Sequence, residues 1–244
     1  MKPPRDWADF LPPARYAYRY RSRILGFLLD GHVYLREVLR NAWPGAIRRE
    51  LVVNERIAEL PFALKALTLP AGSRILDVGS RWSILPLYLA TSGYRVVASD
   101  LVPAQVLGAG PEVVVADLRR SPFRDHSFDA ATMISTLEHV GIGFYDGRVS
   151  VDDDLAVMRE LRRTLRPGAP LVLTVPFGKG GLGRLQRAYD SRRLRVLAEG
   201  WDATEMRFSV RQKSTWRETS EEVASRAESV DDTSAVALLV LRRQ

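Results

Sequence analysis

From Ser73 onward the chain alternates short apolar runs with stretches of helical periodicity, and three of the runs close on an aspartate. Buried parallel strands read as continuous apolar runs and need a crossover between them. The alternation therefore specifies βαβ units around a largely parallel sheet. We expect strands at 74–78, 95–99, 112–116, 128–134 and 171–175, with helices between them. The clearest helix spans 152–165: carboxylates fill its first turn, Leu155, Met158, Leu161 and Leu165 share a face, and Pro167-Gly168 stops it. A further helix at 191–199 ends at Gly200, and two closing strands, 204–211 and 236–241, flank a polar segment rich in Ser, Thr and Glu. That link is long enough for a hairpin with an ornamented loop.

Residues 1–70 read differently, as helices without a strand. Arg15, Arg19 and Arg23 fall at i, i+4 spacing beside Tyr16, Tyr20 and Ile24, a second short helix stops at Trp43-Pro44-Gly45, and a third covers 46–60 before Pro61. The expected organisation is an N-terminal helical cap at 1–70 and an α/β domain at 71–244. Within the latter, 176–200 is a candidate lid or substrate insertion, because Gly178, Gly180, Gly181 and Gly183 cluster there. The absence of cysteine excludes disulfides, thiolate metal sites and cysteine nucleophiles. No apolar run approaches the ~18 residues of a membrane span, and the first residues lack an apolar leader, so the expected location is the cytoplasm. The net charge of +7 is uneven: +5 over 1–70, −1 over 71–175 and +3 over 176–244. Basic flanks leave room for an anionic acceptor, nucleic acid or a peripheral membrane surface, while the neutral middle points to none of these.

The strongest local signal is Ile75-Leu76-Asp77-Val78-Gly79-Ser80, an apolar strand running into an acid and a glycine. In an open parallel sheet, ligands sit at the carboxyl ends of the strands. A pyrophosphate there wants several glycines and no carboxylate, which argues against an NAD-binding dehydrogenase. Asp77 suits a ligand carrying positive charge, an ammonium or a sulfonium. Asp100, at the end of the next run, is placed to accept both ribose hydroxyls, and Asp117, at the end of the third, to accept from an exocyclic adenine amine. The alternative for each acid is that it caps the turn that follows.

With these residues in order, the chain resembles the class I S-adenosylmethionine-dependent methyltransferases over about 51–241. Asp77-Val78-Gly79 is similar to their first motif, Asp100 to the ribose acid and Asp117-Leu118 to the adenine contact. Ser127-Phe128-Asp129-Ala130 leading to Ser135-Thr136-Leu137-Glu138-His139-Val140 resembles the fourth motif. The resemblance implies an α/β, Rossmann-like three-layer sandwich with a seven-stranded, mostly parallel sheet whose last strand is antiparallel. It implies S-adenosyl-L-methionine as cofactor, held by Asp77, Gly79, Ser80, Arg81, Asp100, Leu101, Asp117, Leu118, Ser135 and Thr136. The finer pattern, including Val175-Pro176-Phe177-Gly178-Lys179, is most similar to a bacterial and archaeal branch associated with cell-envelope glycans or natural products. Ser80-Arg81-Trp82-Ser83 departs from the family by replacing its further glycines, so backbone amides and Arg81 are left to meet the cofactor carboxylate.

Methyl transfer requires a nucleophile held ~3 Å from the methyl carbon, and an alcohol acceptor must also lose its proton. His139 is the candidate base, since imidazole titrates near neutrality; a loop-capping role is the alternative. Glu138 can orient that imidazole, bind an acceptor hydroxyl, or stand as an exposed loop carboxylate. Asp152, Asp153 and Asp154 admit a magnesium reading, but acids at a helix start are explained by the macrodipole, and no metal is expected. His32 and His126 fall in polar turns. The expected activity is O-methylation of a sugar or other hydroxylated small molecule, with an RNA methyltransferase and a catalytically silent binding or regulatory protein as alternatives.

Overall fold

The computed structural model describes residues 53–102, 110–143, 147, 149–213, 215–230 and 232–244. The first two expected helices and His32 lie outside these residues. The chain enters through α1 (Arg56–Ala66) and continues through β1 (Arg74–Val78), a 3-10 turn (Ser80–Trp82), α2 (Leu85–Thr91), β2 (Arg95–Asp100) and β3 (Glu112–Val115). Next come a second 3-10 turn (Leu118–Arg120), β4 (Ala130–Ile134), a third 3-10 turn (Leu137–His139), α3 (Asp153–Thr164) and β5 (Pro170–Pro176). A small pair, β6 (Gly181–Leu182) and β7 (Arg187–Ala188), precedes α4 (Ser191–Leu197), β8 (Trp201–Gln212), β9 (Thr215–Thr219), α5 (Glu221–Ala224) and β10 (Ala235–Arg243).

The main sheet has the order β3-β2-β1-β4-β5-β10-β8-β9. Neighbours from β3 to β5 are parallel; β10 runs antiparallel to both β5 and β8, and β9 antiparallel to β8. All five expected parallel strands form; β1, β2, β4 and β5 are apolar runs that the two faces of the sheet bury, whereas β3, at the edge, leaves Val113 and Val115 exposed. On β1, Ile75 faces one apolar cluster with Phe62, Leu85 and Leu89 from α1 and α2, whereas Leu76 faces the other with Val157, Met158 and Leu161 from α3. That alternation makes the three layers.

The sheet has eight strands where seven were expected. The extra one is β9, Thr-Trp-Arg-Glu-Thr, within the polar link between the closing strands. It is an edge strand with no fully buried residue, so it carries no apolar run that would reveal it. The third expected helix is also shifted: α1 runs through Pro61 instead of stopping before it. Proline at that position removes the bond to the Ile57 carbonyl, and both residues are exposed, so water can take the freed oxygen. The glycine cluster after β5 has a packing explanation. A Cβ on Gly178 would lie 2.1 Å from the Ala227 carbonyl oxygen, and one on Gly183 would lie 2.7 Å from that of Val230.

Candidate active site

The strand order reverses direction between β1 and β4, and the carboxyl ends of these two strands and their neighbours bring together most of the candidate residues. Asp77 lies opposite Thr132 in the β1–β4 register, and its Oδ1 accepts the Thr132 hydroxyl at 2.5 Å. The carboxyl is 2% exposed, and Oδ2 has no hydrogen-bond partner. Burial pushes the Asp77 carboxyl up to about 7, against the lowering effects of the Thr132 bond and the Arg56 charge.

Gly79 follows with φ 81°, and a Cβ there would sit 2.0 Å from Thr136 Oγ1. A side chain is excluded twice, by conformation and by space. Ser80–Trp82 then forms a 3-10 turn in place of a run of further glycines. Ser80 Oγ, Arg81 Nε and, on β2, Ser99 Oγ are buried without a partner, and the Arg81 guanidinium lies over the Trp82 ring. Asp100 closes β2: Oδ2 accepts the Arg81 amide at 3.1 Å and Oδ1 the Val102 amide at 3.3 Å. Leu101 beside it is exposed.

Asp117 is engaged within the protein. It caps the turn Leu118–Arg120 through the Arg119 amide and is paired with the Arg119 guanidinium, which reaches on to Asp153 at 2.8 Å. Leu118 is buried in the core. Ser135 stands at φ 41° at the end of β4 and gives its hydroxyl to Glu59 Oε1 at 2.6 Å, while Thr136 Oγ1 donates to the Ile134 carbonyl.

The third 3-10 turn carries Glu138 and His139. Glu138 is 2% exposed, so it is not the exposed loop carboxylate that was one of its expected roles. Its Oε2 has no partner, and burial drives its carboxyl well above the usual range. Its Oε1 lies 3.9 Å from His139 Nε2. The imidazole is oriented instead by Leu185, whose carbonyl oxygen lies 2.6 Å from Nδ1. A carbonyl only accepts, so Nδ1 carries the proton of the neutral ring and Nε2 is the basic nitrogen. Burial lowers the His139 pKa, against the raising effect of the Leu185 contact.

Sequence reasoning missed Glu59 and Arg56. Glu59, fully buried on α1, accepts hydroxyls from Ser135 and, at 2.8 Å, from Thr174, and Arg56 pairs with it at 3.1 Å while donating to the Ile134 carbonyl. Its signal is an acid on the buried stripe with Phe62 and Ala63. The acids at the start of α3 are likewise committed to arginines, Asp153 to Arg119 and Asp154 to Arg187 and Arg193. Among the described residues no group of three or more His, Asp or Glu is arranged to hold a metal ion.

A methyltransferase-domain family model matches residues 76–173, from β1 into β5. Over that segment, less than half of its length, the chain is similar to methyltransferase domains. It is 36% identical over 112 residues to a demethylmenaquinone methyltransferase of Mycobacterium sp. (strain KMS), covering 44% of each chain. It is 34% identical over 115 residues to a ubiquinone biosynthesis O-methyltransferase of Xanthomonas axonopodis pv. citri (strain 306), covering 43% of this chain and 44% of that one. The matches thus span less than half the length of these relatives. Among solved structures, the Burkholderia thailandensis 1,6-didemethyltoxoflavin-N1-methyltransferase, bound to its substrate and S-adenosylhomocysteine, superposes with a TM-score of 0.54 at 18% identity. That superposition covers 96% of this chain and 91% of that one. The matched segment spans β1 to β5, the strands whose carboxyl ends gather the candidate residues.

Proposed function

We propose that the protein is an S-adenosylmethionine-dependent methyltransferase that O-methylates a hydroxylated small molecule. The carrying observation is the set of buried, unpartnered polar atoms at the strand ends, Asp77 Oδ2, Ser80 Oγ and Ser99 Oγ. Buried polar atoms without partners are rare, and these three border the turn after β1, where an ammonium and hydroxyl-rich ligand would satisfy them. Asp77 takes the cofactor ammonium, Asp100 faces the ribose, and the 80–83 amides with Arg81 meet the carboxylate. S-adenosylmethionine supplies an activated methyl group on a sulfonium, and its neutral thioether leaves as the bond breaks.

The chain's own residues supply the proton chemistry. As the acceptor oxygen bonds to the methyl carbon, its hydroxyl proton moves to His139 Nε2. With its pKa lowered, His139 is neutral at pH 7 and a modest base, matched better to a phenolic or enolic hydroxyl than to an unactivated sugar alcohol. The name of the ubiquinone-biosynthesis O-methyltransferase relative supports transfer to oxygen, and a glycan acceptor stays within the class. Glu138, kept neutral by burial, donates a hydrogen bond to an acceptor oxygen.

Isothermal titration with S-adenosylmethionine tests the cofactor assignment, and absence of binding by folded protein overturns it. His139→Ala is expected to keep cofactor affinity within about twofold while methyl transfer to a phenolic acceptor falls at least ~100-fold. Loss of cofactor affinity in that variant would remove His139 from the base role.

A further inference from the structure

The contact that sets the His139 tautomer joins two segments far apart in sequence. The imidazole rides on the turn Leu137–His139, and the carbonyl belongs to Leu185, in the loop between β6 and β7. Neither segment is rigid by itself: one is a single 3-10 turn, the other a pair of two-residue strands. Both are tied to one fully buried carboxylate, Asp154, in the first turn of α3.

On the Leu185 side, Asp154 holds Arg187, two residues further along the same hairpin. This guanidinium is itself buried, and it makes an ion contact with Asp154 Oδ2 rather than an aligned hydrogen bond. On the His139 side, the single hydroxyl proton of Tyr189 is shared between two acceptors, Asp154 Oδ2 at 3.2 Å and the Leu137 carbonyl oxygen at 3.3 Å, which holds the Tyr189 ring between them. Tyr189 has no exposed surface. Arg193 completes the set from α4, bonding both Asp154 oxygens and the Val151 carbonyl at 2.7 Å. The two arginines neutralise the buried carboxylate, and β7 lies directly against the 137–139 turn.

We propose that Asp154 is a positioning residue for His139. By holding Arg187 and Tyr189 it fixes both partners of the Nδ1–Leu185 hydrogen bond, keeps the proton on Nδ1, and presents Nε2 as the basic nitrogen. This rests on the reading of His139 as base, but the tautomer can be measured without turnover.

The test is nitrogen-15 NMR of the histidine rings in the full chain without ligand, assigned with His139→Ala. Wild type is expected to show the Nδ1–H form of His139. In Asp154→Asn, two arginines lose their counter-charge and the hairpin loosens, so the ring is expected to shift to a mixture dominated by Nε2–H, the form a free imidazole prefers. S-adenosylhomocysteine affinity should stay within about twofold, since Asp154 is outside the cofactor site. A folded Asp154→Asn that keeps the Nδ1–H form overturns the proposal. If Asp154→Asn fails to fold, Tyr189→Phe replaces it; that change removes the hydroxyl between Asp154 and Leu137 and leaves the Arg187 and Arg193 pairs intact, and an unaltered tautomer in it is equally fatal. Turnover in His139→Ala would defeat the base reading alone and leave the tautomer result standing.

Discussion

A carboxyl buried at a strand end is either neutral or paired, and at Asp77 the choice depends on pH. Its folded pKa of about 7 stands above the ordinary 3.8, so the folded state retains a proton that the unfolded chain has lost. The stability associated with this group is full below about pH 4 and declines as pH rises to about 7, on the order of 1.4 kcal/mol per unit of pKa difference. Asp77→Asn lacks that proton equilibrium. Denaturant titrations from pH 4 to 8 should show the variant gaining on wild type as pH rises, and parallel curves would refute the raised pKa. The same variant should bind S-adenosylmethionine at least ~10-fold more weakly, because it offers the ammonium no charge. The two effects have opposite signs, the usual relation between stability and a binding group held ready in a buried site.

At the scale of elements, α1 is pinned to the strand ends as much by polar contacts as by Phe62 and Ala63. Glu59 gathers two hydroxyls and a guanidinium from positions 3, 76 and 115 residues away. Glu59→Ala leaves those donors unmatched in the interior and is expected to cost about 3 kcal/mol in chemical denaturation, while Glu59→Gln, which keeps an acceptor, should cost clearly less. Equal losses in the two variants would mean that packing alone fixes the helix. The contrast with the strands shows what a sequence discloses. β1, β2 and β3 were legible because each is an apolar run cut off by Asp77, Asp100 or a residue just before Asp117, a pattern written in neighbouring residues. The roles of Glu59, Thr132 and Leu185 are written in contacts across the fold, two of them with hydroxyls and one through a backbone carbonyl that carries no side-chain signature. Glu138 stood out in the sequence only as a candidate, and its burial was not legible, because a single 3-10 turn has no periodicity from which to read a face.

At the scale of the whole molecule, the order of strands predicts a gradient of protection. β1, β4, β5 and β10 have paired neighbours on both sides and helices or loops over their faces, whereas β3 and β9 are the sheet's edges. Hydrogen exchange should be slowest at 75–78, 130–134, 171–175 and 236–241 and fastest at 112–115 and 215–219. Comparable protection at β9 and β10 would show that the added edge is covered by something else. Much of the basic excess in the described part is spent internally: Lys179, Arg187, Arg193, Arg207 and Arg211 all meet carboxylates. Alternation disclosed the βαβ units and the closing pair, and the resemblance supplied the antiparallel last strand; the eighth strand was not foreseeable, since a polar edge strand and a polar loop have the same composition. The position of β10 also bears on synthesis. It lies between β5 and β8, so β8 and β9, although made earlier, have no seat in the sheet until residues 235–243 leave the ribosome. During that interval the nascent chain carries a formed hairpin with an unsatisfied edge, the species a chaperone would meet.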